Sequence, residues 1–184
     1  MAEPRLERVL IIGPCGAGKS TVSHELAARL GLPLVHMDQL NWQPGWVDAG
    51  NERLRGLLAV EVAKERWLIE GNYGSTLAMR LERADTVVYL DYPIPLCLWR
   101  LMKRIISYHG RTRPDMPENC PERFDGEFLI YVLRWNRGPR QRTEALLRGH
   151  EHKVIRLKNP RALADWLATV EDWHDAQPVR HPAL

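Results

Sequence analysis

The sequence predicts an α/β domain built on a mostly parallel sheet, and three observations carry that expectation. Strand-like and helix-like segments alternate along the chain. The first apolar run, Val9-Leu10-Ile11-Ile12, leads straight into the glycine-rich stretch Gly13-Pro14-Cys15-Gly16-Ala17-Gly18-Lys19-Ser20, which opens a helical pattern. At 184 residues the chain fits one domain, 1–184, and a domain of that size buries roughly 70% of its unfolded surface, enough for a core of its own.

Arg8 to Ile12 reads as a buried first strand. From Lys19 to Leu30 the apolar positions Val22, Leu26 and Leu30 recur every four residues, and Gly31 stands where a helix C-cap belongs. Leu34 to Met37 is a short second strand ending at Asp38, followed by a tryptophan-rich loop from Asn41 to Gly50. A helix over roughly Glu52 to Lys64 leads to a third strand, Trp67-Leu68-Ile69, which runs into Glu70-Gly71-Asn72-Tyr73. A helical segment near Thr76 to Arg83 precedes the clearest strand, Thr86 to Leu90, closed by Asp91-Tyr92-Pro93. Pro95 to Tyr108 reads as a helix with Arg100 and Arg104 on one face. Residues 109–123, broken by glycine and proline, read as a mobile loop. Phe128 to Leu147 is mostly helical with a break at Gly138-Pro139, and Val154 to Leu157 is a fifth strand. Asn159-Pro160 caps a last helix with the apolar stripe Leu163, Trp166, Leu167 and Val170. The tail 175–184 is expected to fray.

The stretch from Gly13 to Ser20 matches G-x-x-x-x-G-K-[ST] in the strand-to-helix context that its mechanism requires. Its glycines let several backbone N–H groups turn inward around phosphate oxygens, at a helix N-terminus whose partial positive charge favours an anion. Lys19 would neutralise the β- and γ-phosphates of a nucleoside triphosphate, and Ser20 would offer a hydroxyl to Mg²⁺, a cation that prefers hard oxygen ligands. Gly13, Pro14, Cys15, Gly16, Ala17, Gly18 and Thr21 complete the candidate nucleotide site, with Cys15 as filler where the backbone carries the contact.

The net charge of +3 is too small to argue for nucleic acid, but its distribution is uneven. Residues 100–148 carry eleven basic against six acidic side chains, which suits either polyphosphate or a nucleic-acid backbone. Cys15, Cys97 and Cys120 are widely spaced and odd in number, which argues for a reducing compartment and a cytoplasmic protein. Cys120, alone with His109, makes a zinc cluster improbable. No apolar run approaches the roughly 20 residues of a membrane span, and no signal-peptide core follows the charged N-terminus. Oligomeric state is not legible.

With these residues in place the chain resembles the adenylate kinase-like small kinases. More narrowly, the segment Ile11 to Thr21, His36-Met37-Asp38, Glu70-Gly71-Asn72-Tyr73, Arg113-Pro114-Asp115-Met116 and Cys120-Pro121-Glu122-Arg123 look like the group often labelled DNA topology modulation proteins. The resemblance spans about residues 8 to 168. It implies a three-layer P-loop NTPase fold with a five-stranded parallel sheet in order 2-3-1-4-5, a nucleotide at the C-terminal strand ends, and a basic lid over about 108–142. It also implies that Arg100 and Arg104 match the paired arginines that reach the transferring phosphate, and that Glu70 stands where an acidic residue, more often Asp, holds Mg²⁺ through water. Among the lid arginines Arg111, Arg113, Arg123, Arg137, Arg140 and Arg142, it points to Arg137 and Arg140 at the second hinge as nucleotide contacts. Asn159 and Pro160 would then lie on the adenine side.

Asp38 faces the expected acceptor position, where a carboxylate could orient or deprotonate a hydroxyl; a turn cap is the plainer reading. Asp91 reads as a loop-capping residue. Trp42 and Trp46, near the acceptor side, could stack on a base or cover a ring, or shield the sheet edge. Arg53, Arg55 and Arg80 are weaker candidates for an acceptor phosphate. Two functions remain open. One is an ATP- and Mg²⁺-dependent kinase acting on a nucleotide or another small hydroxyl- or phosphate-bearing acceptor. The other is a nucleotide-regulated protein that associates with DNA. A GTP switch is disfavoured because no N-K-x-D motif appears.

Overall fold

The computed structural model describes residues 5–176, with side chains to residue 170; of the tail expected to fray, residues 177–184 lie outside the described residues. Five strands form one parallel sheet: β1 (Arg8–Ile12), β2 (Leu34–His36), β5 (Trp67–Glu70), β6 (Thr86–Leu90) and β7 (Val154–Leu157), in the order β2-β5-β1-β6-β7. Taken in chain order these five lie as 2-3-1-4-5, as the resemblance implied. Between β2 and β5 the tryptophan-rich loop folds into a small antiparallel hairpin, β3 (Trp42–Gln43) and β4 (Val47–Asp48).

Alternation along the strands creates the three layers. Val9 and Ile11 of β1 face one side with Val88 and Leu90, covered by α1 (Lys19–Leu30), α8 (Pro160–Ala176) and the start of α5 (Ile94–Tyr108). Leu10 and Ile12 face the other side with Ile69, Val87 and Tyr89, covered by α3 (Asn51–Ala63), α4 (Gly74–Arg83) and α7 (Pro139–Leu147). Both faces are dry, which is why β1 and β6 read as continuous apolar runs.

Most expected elements stand within a residue or two of their sequence bounds. Three differ in ways that matter. The second strand stops at His36, so Asp38 sits in a one-turn helix, α2 (Met37–Asn41). The expected long helix near 128–147 is α6 (Gly126–Leu133), a 3₁₀ turn and α7, and Asp125 caps α6 by accepting from the Phe128 N–H at 3.0 Å. The loop 109–123, expected to be mobile, is folded down: Asp115, Met116, Cys120 and Glu122 are buried. Its segments are cross-bridged at His109–Glu122 and Thr112–Pro121, and it reaches the hairpin through Gly45 N–H to Asn119 O at 3.1 Å. Among the described residues, no helix is long and apolar enough to cross a membrane.

Candidate active site

The phosphate loop connects β1 to α1 at the C-terminal edge of the sheet. Gly16, at φ +84°, has no alternative there: a Cβ would stand 2.1 Å from the Cys97 carbonyl oxygen of α5. Lys19 folds back so that Nζ donates to the carbonyls of Gly13 and Pro14 at 3.1 and 3.3 Å. Arg100 donates to the Ala17 carbonyl at 3.1 Å, which places a second cation against the loop. Asn72, a residue that the motif does not mark, grips the loop's base: its amide accepts from Gly13 N–H at 3.0 Å and donates to Gly13 O at 2.6 Å.

Beside the loop stand three carboxylates. Ser20 Oγ lies 3.3 Å from Glu70 Oε1 and 2.8 Å from Asp115 Oδ2. Glu70 ends β5 next to β1, paired in register with Ile11, and His36 Nδ1 meets Glu70 Oε1 at 2.9 Å with both side chains buried. The third, Asp38, accepts a 2.7 Å hydrogen bond from the Tyr73 hydroxyl. Burial pushes the Asp38 carboxyl up from its ordinary range, and the Tyr73 hydroxyl opposes that shift. Tyr73 itself sits at φ +33°, a strained conformation for a bulky residue. Arg80 holds the strained turn. Fully buried, its guanidinium donates to the carbonyls of Gly71, Asn72 and Tyr73 at 2.6, 2.5 and 3.1 Å. Arg80 is thus a structural clamp and not an acceptor contact. Arg55, turned to the Ser75 carbonyl, and exposed Arg53 also stay outside the cavity.

The remaining wall is cationic and aromatic. Arg104 Nη2 donates to Glu122 Oε1 at 3.1 Å, and Arg113 joins Asp115 and Glu122, each at 2.7 Å. Trp42 and Trp46 meet edge to face at 5.4 Å; the Trp46 indole N–H donates to Pro121 O at 3.1 Å, and Arg123 lies over its ring. These tryptophans line the site and also anchor the loop. Residues 15–20, Arg100 and Arg104, together with Asp38, Trp42, Trp46, Tyr73 and Arg113, line one cavity of about 1000 Å³.

Two expected nucleotide contacts are not brought there. Arg137 is exposed on the 3₁₀ turn outside the cavity. Arg140 stays outside the cavity lining and donates instead to Asp91, just past the C-terminal end of β6, at 3.1 and 2.8 Å. Burial works to raise the Asp91 carboxyl, yet Arg140 and Arg156 hold it below its ordinary value, so Asp91 is an ion-pair hub and not a simple loop cap. Of the last pair, Pro160 lines the cavity, whereas Asn159 caps α8 by accepting from Ala162 N–H at 2.8 Å. Asn72, Tyr73, His36, Asp115 and Glu122 escaped assignment, although all five sit in short motifs already singled out in the sequence.

The donor set fits Mg²⁺. Ser20 and its flanking carboxylates offer hard oxygens, the ligand type of a cation that keeps several waters and takes further ligands from substrate phosphates.

Comparison with known proteins agrees with this fold. Residues 9–69 match the model of the ATPase family associated with various cellular activities. Two curated relatives are named shikimate kinase: one from Halorhodospira halophila, 28% identical over 62% of this chain and 70% of its own, and one from Xanthomonas euvesicatoria pv. vesicatoria, 29% identical over 74% and 78%. Among solved structures, a shikimate kinase from Acinetobacter baumannii in complex with shikimate superposes with a TM-score of 0.54 at 19% identity, covering 95% of this chain and 97% of that one. The shikimate kinase of Aquifex aeolicus gives the same score at 17% identity, covering 92% and 99%. The fold is the P-loop kinase fold.

Proposed function

We propose that this chain is an ATP-dependent kinase that transfers the γ-phosphate to the hydroxyl of a small acceptor. One observation carries the reading: the phosphate loop with Lys19 and Ser20, and the half-buried carboxylate of Asp38, open into the same cavity. Phosphoryl transfer asks mainly for positioning and for cations around the migrating group. Lys19 and Arg100 already rest on the loop, and Arg104 is next along the same face of α5. The acceptor oxygen bonds to the γ-phosphorus, the bond from that phosphorus to the bridging oxygen breaks to release ADP, and Asp38 takes the hydroxyl proton. When bound, Mg²⁺ neutralises charge on the β- and γ-phosphate oxygens, with Ser20 and Glu70 as the residues that would hold it.

The names of the curated relatives make a small cyclic alcohol the first acceptor to try, and the paired tryptophans suit a ring. The whole chain is read as a single unit, with 108–142 as the segment that covers the donor. The narrower resemblance to the topology modulation group adds no activity to this reading. The basic stretch that suggested DNA has Arg104, Arg113 and Arg140 already paired with carboxylates, which favours the enzymatic reading. The test is ADP release from Mg·ATP across shikimate and other cyclic alcohols, nucleosides and nucleotides. Acceptor-stimulated release is expected from at least one; none from any would overturn the proposal.

Tyr73→Phe gives a sharper check. The Tyr73 hydroxyl stabilises the charged form of Asp38, so its loss moves the Asp38 pKa further upward. Asp38 acts deprotonated, so the acidic limb of the kcat/KM profile is expected to shift to higher pH. An unmoved limb would mean that Asp38 is not the base.

A further inference from the structure

The loop 109–123 brings a carboxylate to the metal side of the donor site, from a part of the chain that the phosphate-loop motif does not reach. Ser20 Oγ is flanked by Glu70, fixed by β5, and by Asp115, which arrives from the loop and makes the shorter contact, 2.8 against 3.3 Å. Asp115 is only 7% exposed, so burial works to raise its carboxyl. Arg113, 2.7 Å from the same oxygen, and the Ser20 hydrogen bond outweigh burial and hold that carboxyl below its ordinary value. Arg113 in turn bridges to Glu122, which Arg104 also engages, so the loop's seat and the cationic helix α5 form one network.

Two carboxylates, brought from different parts of the chain, flank the one hydroxyl that is the motif's own ligand for a divalent ion. We propose that Asp115 is a metal-positioning residue that holds Mg²⁺-bound water from the loop side as Glu70 does from the sheet side. Seating of loop 109–123 and retention of Mg²⁺ with the nucleotide then depend on each other. The inference rests on the donor reading of the phosphate loop. It also carries a definite sign: a carboxylate that only plugs the metal position would weaken Mg²⁺ binding, whereas a positioning carboxylate strengthens it.

The experiment is calorimetric titration of ADP into the full chain, with EDTA and across a series of Mg²⁺ concentrations, for wild type, Asp115→Asn and Asp115→Ala. Metal-free ADP affinity is expected to stay within about twofold in both variants, which shows that they are folded. The Mg²⁺ needed for half of the metal-dependent gain is expected to rise about tenfold or more, the usual effect of losing an outer-shell partner. In parallel, Mg·ADP should protect the 109–123 segment from limited proteolysis in wild type and not in the variants. An unchanged Mg²⁺ requirement, or a lowered one, overturns the proposal while leaving the kinase reading standing. Failure of the wild-type chain to bind ADP at all overturns both.

Discussion

Replacing Lys19 by alanine is expected to lower acceptor-stimulated ADP release by about 10²–10³-fold, or roughly 3–4 kcal/mol of lost transition-state stabilisation. The size follows from position. Nζ lies within 3.3 Å of two loop carbonyls, already inside the arc that would wrap the phosphates, so binding nucleotide requires only that it exchange those carbonyls for phosphate oxygens. Lys19→Arg is expected to recover little, because a planar fork cannot take the place of a compact ammonium between loop and phosphate. Steady-state kinetics with the preferred acceptor measures the effect, and a thermal melt within about 2 °C of wild type shows that the loss is one of catalysis. A Lys19→Ala enzyme with activity within about threefold of wild type would rule out the phosphate-loop mechanism.

Arg80→Ala is expected to have the largest effect on stability. Three carbonyls of the strained Gly71-Asn72-Tyr73 turn accept from one fully buried guanidinium; truncation takes that partner from all three, and only the Tyr73 carbonyl keeps another, the Thr76 N–H and hydroxyl. Each buried unsatisfied acceptor costs about 1–3 kcal/mol, so a loss of about 3–5 kcal/mol and a fall in Tm of roughly 10 °C are expected for a domain of this size. Activity should fall as well, because the turn carries Asn72 to the phosphate loop and the Tyr73 hydroxyl to Asp38. Arg80→Lys can satisfy only part of the set and should be intermediate. Circular dichroism melts decide it; a Tm unchanged by Arg80→Ala would show that water or backbone relaxation replaces the clamp.

Arg80 also marks where reading the sequence reached its limit. As a residue type it suggested a phosphate contact, since most arginines are solvated or bind anions. Only its complete burial beneath the turn shows that its donors are spent on backbone. Arg140 misled for the same reason: its spacing along the chain was compatible with a hinge contact, but β7 brings Arg156 beside it and Asp91 collects both. The loop 109–123 misled in the opposite direction. Its glycine and prolines forbid regular structure, but they do not forbid a fixed one, and Arg113, bridging Asp115 and Glu122, pins it in place.

What the chain declares locally it declares well. The phosphate loop, its preceding strand and its following helix are legible because their requirements are met by neighbours in sequence: positive φ at glycine, an apolar run buried on both faces, a helix N-terminus behind an anion site. The five strands and their order followed from the same alternation together with the family resemblance. The other half of the site is made by contacts across long stretches of chain. Ser20 to Asp115 spans 95 residues, Gly13 to Asn72 spans 59, and Tyr73 to Asp38 spans 35. The periodicity of a sequence encodes which face a residue takes, not which distant side chain it will meet. The donor loop was therefore determined by the sequence alone, whereas the carboxylates, cations and aromatic rings that surround it were decided by the packing of the sheet, the hairpin and the seated loop.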